Sequence, residues 1–250
     1  TYNPSLGDVA IANTLKIHSA GNGGRVGVGN NAGLTSQGAS TVAIGINAGN
    51  NTQGQSSVAI GNNAGNSNQG VTSVAIGFSA GQTTQGLSAV SIGNNAGNST
   101  QGARAIAIGL NASTFSQSDN AISIGSGAGN LNQGNSAVAV GANAGNNTQG
   151  GNSVAVGINA GSGNQGASAV AIGSSAGNSS QGASAVAIGN QAGATSQHAN
   201  SIILNASGGA LNSNGTSRFF VNPIRGVALG IGVGRMVYDP ATSEITYSTT

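Results

Sequence analysis

Ser57 to Thr72 reads SVAIGNNAGNSNQGVT, and the chain restates this stretch at a fixed step of sixteen residues. The glycine that closes the apolar triplet recurs at Gly29, Gly45, Gly61, Gly77, Gly93, Gly109, Gly125, Gly141, Gly157, Gly173 and Gly189. A glutamine keeps the same step from Gln37 through Gln69 and Gln133 to Gln197. No insertion or deletion breaks the register across these ten intervals. Such self-similarity marks a repeat protein, so the unit that has to be folded is the repeat.

Within one unit, Val58-Ala59-Ile60 alternates large, small, large before Gly61. Alternation of β-branched residues is a strand signal, and the run is too short and too rich in glycine for a helix. The pattern places Val58 and Ile60 on one face and Ala59 on the other. The expectation is that the large residues line the interior as two continuous spines. Asn63-Ala64-Gly65-Asn66 reads as a corner because Asn and Gly tolerate positive φ. Asn66-Ser67-Asn68-Gln69 extends a second short segment, and Gly70 turns the chain back. The fold class is therefore all-β: a parallel β-solenoid, or β-roll, of sixteen-residue coils. Coils about 4.8 Å apart put each residue over its counterpart, so eleven of them make a rod roughly 50–55 Å long. The glutamine column is expected to form an amide ladder, as stacked amides do in cross-β structures.

Composition narrows the function classes. Of 250 residues only 4% are charged and 3% aromatic, with 45 glycines, no cysteine and no tryptophan. Disorder fits such a composition, but it does not call for a β-branched residue at alternate strand positions in coil after coil. Six basic residues against four acidic give a net charge of +2 without a basic cluster, which is no nucleic-acid footprint. No apolar run is long enough for a membrane helix. The chain opens at Thr1 without a visible signal peptide, which reads as a processed chain or a fragment.

Along the chain, residues 1–25 depart from the register and read as an N-terminal cap or atypical coil. Residues 26–205 form the solenoid, ending in Ile202-Ile203-Leu204 with Asn205 in the glycine slot. One coil, Asn111 to Asn120, is irregular, with Ser113 and Ser118 in place of glycines and Phe115 aligned with Leu131. Arg104 and Asp119 are the only charged residues of the array, and their spacing suggests a diagonal surface pair. Residues 206–250 read as a C-terminal β-rich cap or trimerisation region, with a hairpin across Asp239 to Ser243. Gly230 to Gly234 resembles a phosphate loop only faintly, since no helix-forming segment follows.

Chemistry for catalysis is scarce. Two histidines, four carboxylates and no cysteine offer little for acid–base, nucleophilic or metal work. His18 has no ligand-type neighbour, and nothing in the spacing of His198, Asp239 and Glu244 brings them together. The expectation is a non-enzyme with no catalytic, metal or cofactor-binding residues and no cofactor. Asn50, Asn98, Asn111, Asn146, Asn178, Asn205 and Asn214 each open an N-glycosylation sequon. Asn is favoured at these corners for its backbone behaviour, so chance explains them better than selection for glycans.

The Ser-Val-Ala-Ile-Gly strand followed by a small-residue corner resembles the YadA-like head repeats of trimeric autotransporter adhesins over residues 26–205. The period departs from that family, sixteen here against the commoner fourteen, which implies a longer corner. The stretch from Phe219 through Met236 to Tyr247 is similar instead to segments of phage and large DNA virus tail-fibre or surface-fibre proteins. The two resemblances together imply a homotrimer of parallel β-rolls that binds a host-surface glycan or protein receptor. They place it outside the cell, on a virion or cell surface, with no membrane insertion.

The residues argue for association on their own terms as well. Each coil supplies few apolar side chains, here Val58, Ile60 and Ala64, against the ordering of sixteen residues. The small face of Ala59 and its counterparts is expected to admit a second and third copy. Three functions follow: an adhesive fibre, a structural filament without a ligand, or an ice-binding solenoid. The last rests on Thr52, Thr84, Thr100 and Thr148 in one column, which Asn68, Asn132 and Asn164 interrupt.

Overall fold

The computed structural model describes residues 2–3, 8–9, 15–17, 23–224, 235–239, 242 and 244–248. His18 and the stretch Gly230 to Gly234 lie outside them. Among the described residues the secondary structure is entirely strand and turn, and the chain is a β-solenoid of about twelve coils.

Two parallel sheets run the length of the stack. A fourteen-stranded sheet gathers the apolar triplets, from Val26–Val28 through Val58–Ile60 to Val186–Ile188, with further strands at both ends. A ten-stranded sheet gathers the glutamine segments, from Thr35–Gln37 to Ser180–Gln181. We call them the valine sheet and the glutamine sheet. Registers match the sequence period: Val58 pairs with Val74, Ala59 with Ala75 and Ile60 with Ile76. On the other sheet Thr84 pairs with Thr100 and Gln85 with Gln101.

Which strand face looks inward is the opposite of the expectation. Ala59 is fully buried, whereas Val58 and Ile60 are half-exposed. The same holds along the rod, with Ala43, Ala75, Ala107, Ala139, Ala155, Ala171 and Ala187 inside. The interior of one coil is four inward positions, Ser57, Ala59, Ala64 and Gln69 in the type repeat, all buried. Strand alternation fixes only that Val58 and Ile60 oppose Ala59; the width of the coil decides which side is in. A turn of sixteen residues with two short strands leaves a lumen one glutamine side chain wide. Two rows of β-branched residues have no room in it.

Gln69 shows how that lumen is closed. Its Nε2 crosses from the glutamine sheet and donates to the Val58 carbonyl at 2.8 Å. The same bond recurs from Gln53 to Val42, Gln101 to Val90, Gln133 to Ile122 and Gln197 to Val186. The amide also links coil to coil, but not without interruption. Nε2 donates to the next Oε1 from Gln85 through Gln101, Gln117 and Gln133 to Gln149, and again from Gln165 through Gln181 to Gln197. Buried Oε1 atoms of Gln53, Gln69, Gln85 and Gln165 have no protein partner, each where the preceding glutamine does not donate. Gln37, first in the row, instead gives Nε2 to the carbonyls of Thr35 and Gly49. The expected ladder therefore forms in two runs.

The corners explain the rigid glycine spacing. Gly61 sits at φ +128°, and a Cβ there would stand 2.4 Å from the Gly77 carbonyl oxygen of the next coil. Such an approach is below any real carbon–oxygen contact. Gly65, at φ +50°, leaves the space that the Gln69 amide fills, 2.7 Å from where its Cβ would be. Asn63 between them takes φ 57°, which Asn accepts more readily than other residues with a Cβ.

The ends differ from the repeat. Leu15–Ile17 adds to the valine sheet antiparallel to Val26–Val28, and Tyr2–Asn3 pairs with Asp8–Val9. At the other end the sheet runs on past Ile202–Asn205 to Phe219–Asn222, both parallel. Arg235–Asp239 and Glu244–Ser248 form the antiparallel hairpin read from the sequence.

Candidate interaction surfaces

Because alanine fills the lumen, the large aliphatic residues form the outer skin of the valine sheet. Two unbroken rows result, one through Val42, Val58, Val74 and Val90, the other through Ile44, Ile60, Ile76 and Ile92. The isoleucine row is the more open, with Ile124 and Ile188 each 39% exposed. Beside it runs a corner row in which Ile46, Phe78, Leu110 and Ile158 are between 51% and 58% exposed. Sequence reasoning missed this row, although the recurrence of a large apolar residue two coils on, at positions 46, 78 and 110, is its signal. At the far end Ile202 and Phe219 prolong the valine row. With Tyr238 and Ile245 of the hairpin they border a hollow that also takes in Arg218.

The glutamine sheet presents a polar skin. Thr52, Asn68, Thr84, Thr100, Ser116, Asn132, Thr148 and Asn164 all point outward and are exposed. The threonine column is thus on the surface, with its asparagine and serine interruptions.

The irregular coil is accommodated at two places. Ser113 turns its hydroxyl into the lumen and donates to Ser123 Oγ at 2.7 Å. It fits because Ala107 stands where Ser91 and Ser123 stand in the flanking coils. A Cβ on Gly97 or Gly129 would meet those hydroxyls at 2.4 and 2.2 Å. Ser91 and Ser123 themselves donate to Gln101 and Gln133 Oε1, at 2.7 and 2.6 Å. The expected diagonal pair does not form: Arg104 Nε donates to Asn120 Oδ1 at 2.8 Å. Asp119 Oδ1 accepts the Ala103 N–H, also at 2.8 Å.

At the C-terminal end His198 is tied to Ser213. Ser213 Oγ accepts the His198 backbone N–H at 2.8 Å and lies 2.9 Å from His198 Nδ1. The two contacts close the turn before the last coil. Asp239 faces Glu244 across the hairpin. Among the described residues no group of three His, Cys, Asp or Glu is placed to hold a metal ion.

Most sequon asparagines are occupied in corners. Asn50, Asn98, Asn146 and Asn178 give Nδ2 to the carbonyls of Asn31, Ser79, Gly127 and Asn159, one coil back, at 2.8–3.2 Å. Asn205 is buried, and its Nδ2 donates to the Asn190 and Gly209 carbonyls at 2.7 and 2.6 Å. Asn214 is exposed and accepts from Arg218 Nη1 through Oδ1.

Among the described residues no helix is long and apolar enough to cross a membrane. No family model, no curated protein and no solved structure matches the chain.

Proposed function

We propose that this chain is the shaft of a non-catalytic adhesive fibre on a virion or cell surface, working as a homotrimer joined through the outer valine–isoleucine skin. The observation that carries this reading is the direction of those two rows. A strip three residues wide is about 10 Å across, and about 50 Å of rod gives ~500 Å² of contiguous, largely apolar surface. That lies at the upper end of what soluble monomers leave uncovered. With the corner row of Ile46, Phe78, Leu110 and Ile158 alongside, it approaches the ~800 Å² per partner of a stable interface. A second copy of the same flat, straight face is the occupant that matches it in length and in repeat spacing.

The resemblance to adhesin heads supports three copies around one axis. It also supports attachment to a host surface as the task, with the polar glutamine sheet turned outward. Multi-angle light scattering tests the assembly: the expected mass is three times the 23.6 kDa chain. A monomer at micromolar concentration overturns the reading. Retention of the labelled protein on host cells tests attachment, and a trimer that holds to no cell surface reduces it to an inert filament.

A further inference from the structure

Several irregularities of the glutamine sheet gather over three adjacent coils, although exposed Val71 and Leu87 also break the pattern of one rim two and three coils earlier. The rim position just before the exposed strand residue is small or polar in the other coils, as at Thr83, Ser99 and Asn147. Phe115 and Leu131 fill it in adjacent coils, 52% and 36% exposed and joined by the Ser116 N–H to the Leu131 carbonyl at 2.9 Å. Ser118 is the one replacement in the glycine column that runs from Gly38 to Gly182. Gly151 leaves a gap in the opposite rim, where Asp119 and Asn135 stand exposed. Asp119 belongs to these coils, and Arg104, the one other charged residue between Val26 and Gln197, ends the coil before them. Between the two rims runs a groove floored by Ser116, Asn132 and Thr148 and by the bare backbone of Gly134 and Gly150.

We propose that this groove is a binding site for a neutral oligosaccharide. The proposal rests on the adhesive reading above and names its ligand class and its place on the shaft. A pyranose ring has an apolar face of C–H groups and an equator of hydroxyls. The exposed Phe115 ring and the Leu131 side chain offer the apolar face a flat platform. Ser116 and Thr148 hydroxyls and the Asn132 amide, a coil spacing apart, give donors and acceptors to hydroxyls along successive rings. Asp119 uses Oδ1 on Ala103 N–H, leaving its second oxygen to accept from sugar hydroxyls. No cation lines the groove floor; Arg104 stands outside it, with Nε donating to Asn120 Oδ1. A carboxylate at the rim without a cation on the floor selects neutral over sialylated or sulfated chains.

The test is a printed array of neutral hexose and N-acetylhexosamine oligomers beside sialylated and sulfated ones, probed with the full chain. Phe115→Ala and Thr148→Val are compared with Leu34→Ala, an exposed apolar residue distant from the groove. All three positions are exposed, so thermal midpoint and solution mass serve as folding controls. The expected result is retention on neutral probes, weakened about tenfold by Phe115→Ala and about fivefold by Thr148→Val, and unchanged by Leu34→Ala. Retention that ignores Phe115→Ala, that falls equally with Leu34→Ala, or that is confined to acidic probes overturns the groove and leaves the fibre reading standing. Cell attachment without any glycan retention also overturns it and points to a protein receptor. Failure on both glycans and cells removes the adhesive reading together with the groove.

Discussion

Gln133→Ala tests the lumen directly. The wild-type side chain is 2% exposed. Its Nε2 donates to the Ile122 carbonyl at 2.7 Å, to the Ala137 carbonyl at 3.3 Å and to Gln149 Oε1 at 3.1 Å. Its Oε1 accepts from Ser123 Oγ at 2.6 Å and from Gln117 Nε2 at 3.0 Å. Truncation leaves at least the Ser123 O–H donor and the Gln149 Oε1 acceptor without their partners in the buried lumen, at about 1–3 kcal/mol for each buried group left unpaired. The vacated volume adds a cavity cost of about 2–5 kcal/mol, by analogy with other large-to-alanine core truncations. The sum is at least about 4 kcal/mol, large for any single substitution. Solenoid stability is close to a sum over neighbouring repeats, so the loss is local. Hydrogen exchange should rise first in amides between Gln117 and Gln149, ahead of the distant coils. A loss below about 1 kcal/mol in denaturant, with exchange unchanged in those coils, refutes the bridging role assigned to glutamine.

The outer face is tested by Val138→Asp with Val154→Asp, which should shift the assembly to the 23.6 kDa species, because an interface cannot bury unpaired carboxylates; light scattering reads it. Gly61→Ala places a Cβ 2.4 Å from the Gly77 carbonyl oxygen at φ +128°, and should lower the melting temperature by several degrees or prevent folding. Truncation after Asn205 removes Phe219–Asn222 and the hairpin, the elements without a counterpart in the repeat, and should give mixed or aggregated species by gel filtration; a clean trimer of unchanged stability shows that the repeats set chain number and register themselves. Thermal hysteresis should be negligible, since Asn68, Asn132 and Asn164 interrupt the exposed threonine column.

The solenoid, its period and both strand registers are legible in the sequence because stacking demands identity at a fixed spacing. The inward face is not. Val58, Ala59 and Ile60 alternate, and alternation is symmetric under exchange of inside and outside. The choice follows from lumen width, a property of the closed coil. Reading the large residues as core is the usual inference for a half-buried strand, and it fails here because the coil is thinner than two ordinary packed sheets. The position of Gln69 held the missing information: a polar residue kept at every repeat is at odds with a lumen of valine and isoleucine, and at ease with one of alanine. Arg104 shows the complementary limit. Its fifteen-residue offset from Asp119 is right for a diagonal neighbour, but Asn120, directly over it at sixteen, is the nearer partner.

The two ends of the stack, Leu15–Ile17 and Phe219–Asn222, are the edges of one fourteen-stranded sheet, and the bonds between coils run along the rod. Pulling the ends apart therefore loads those bonds one coil after another rather than all at once. Each coil that peels frees sixteen residues, about 55 Å of extended chain, in exchange for a coil rise of about 4.8 Å. A shaft built this way yields in small, near-equal steps under tension and lengthens roughly tenfold before it parts.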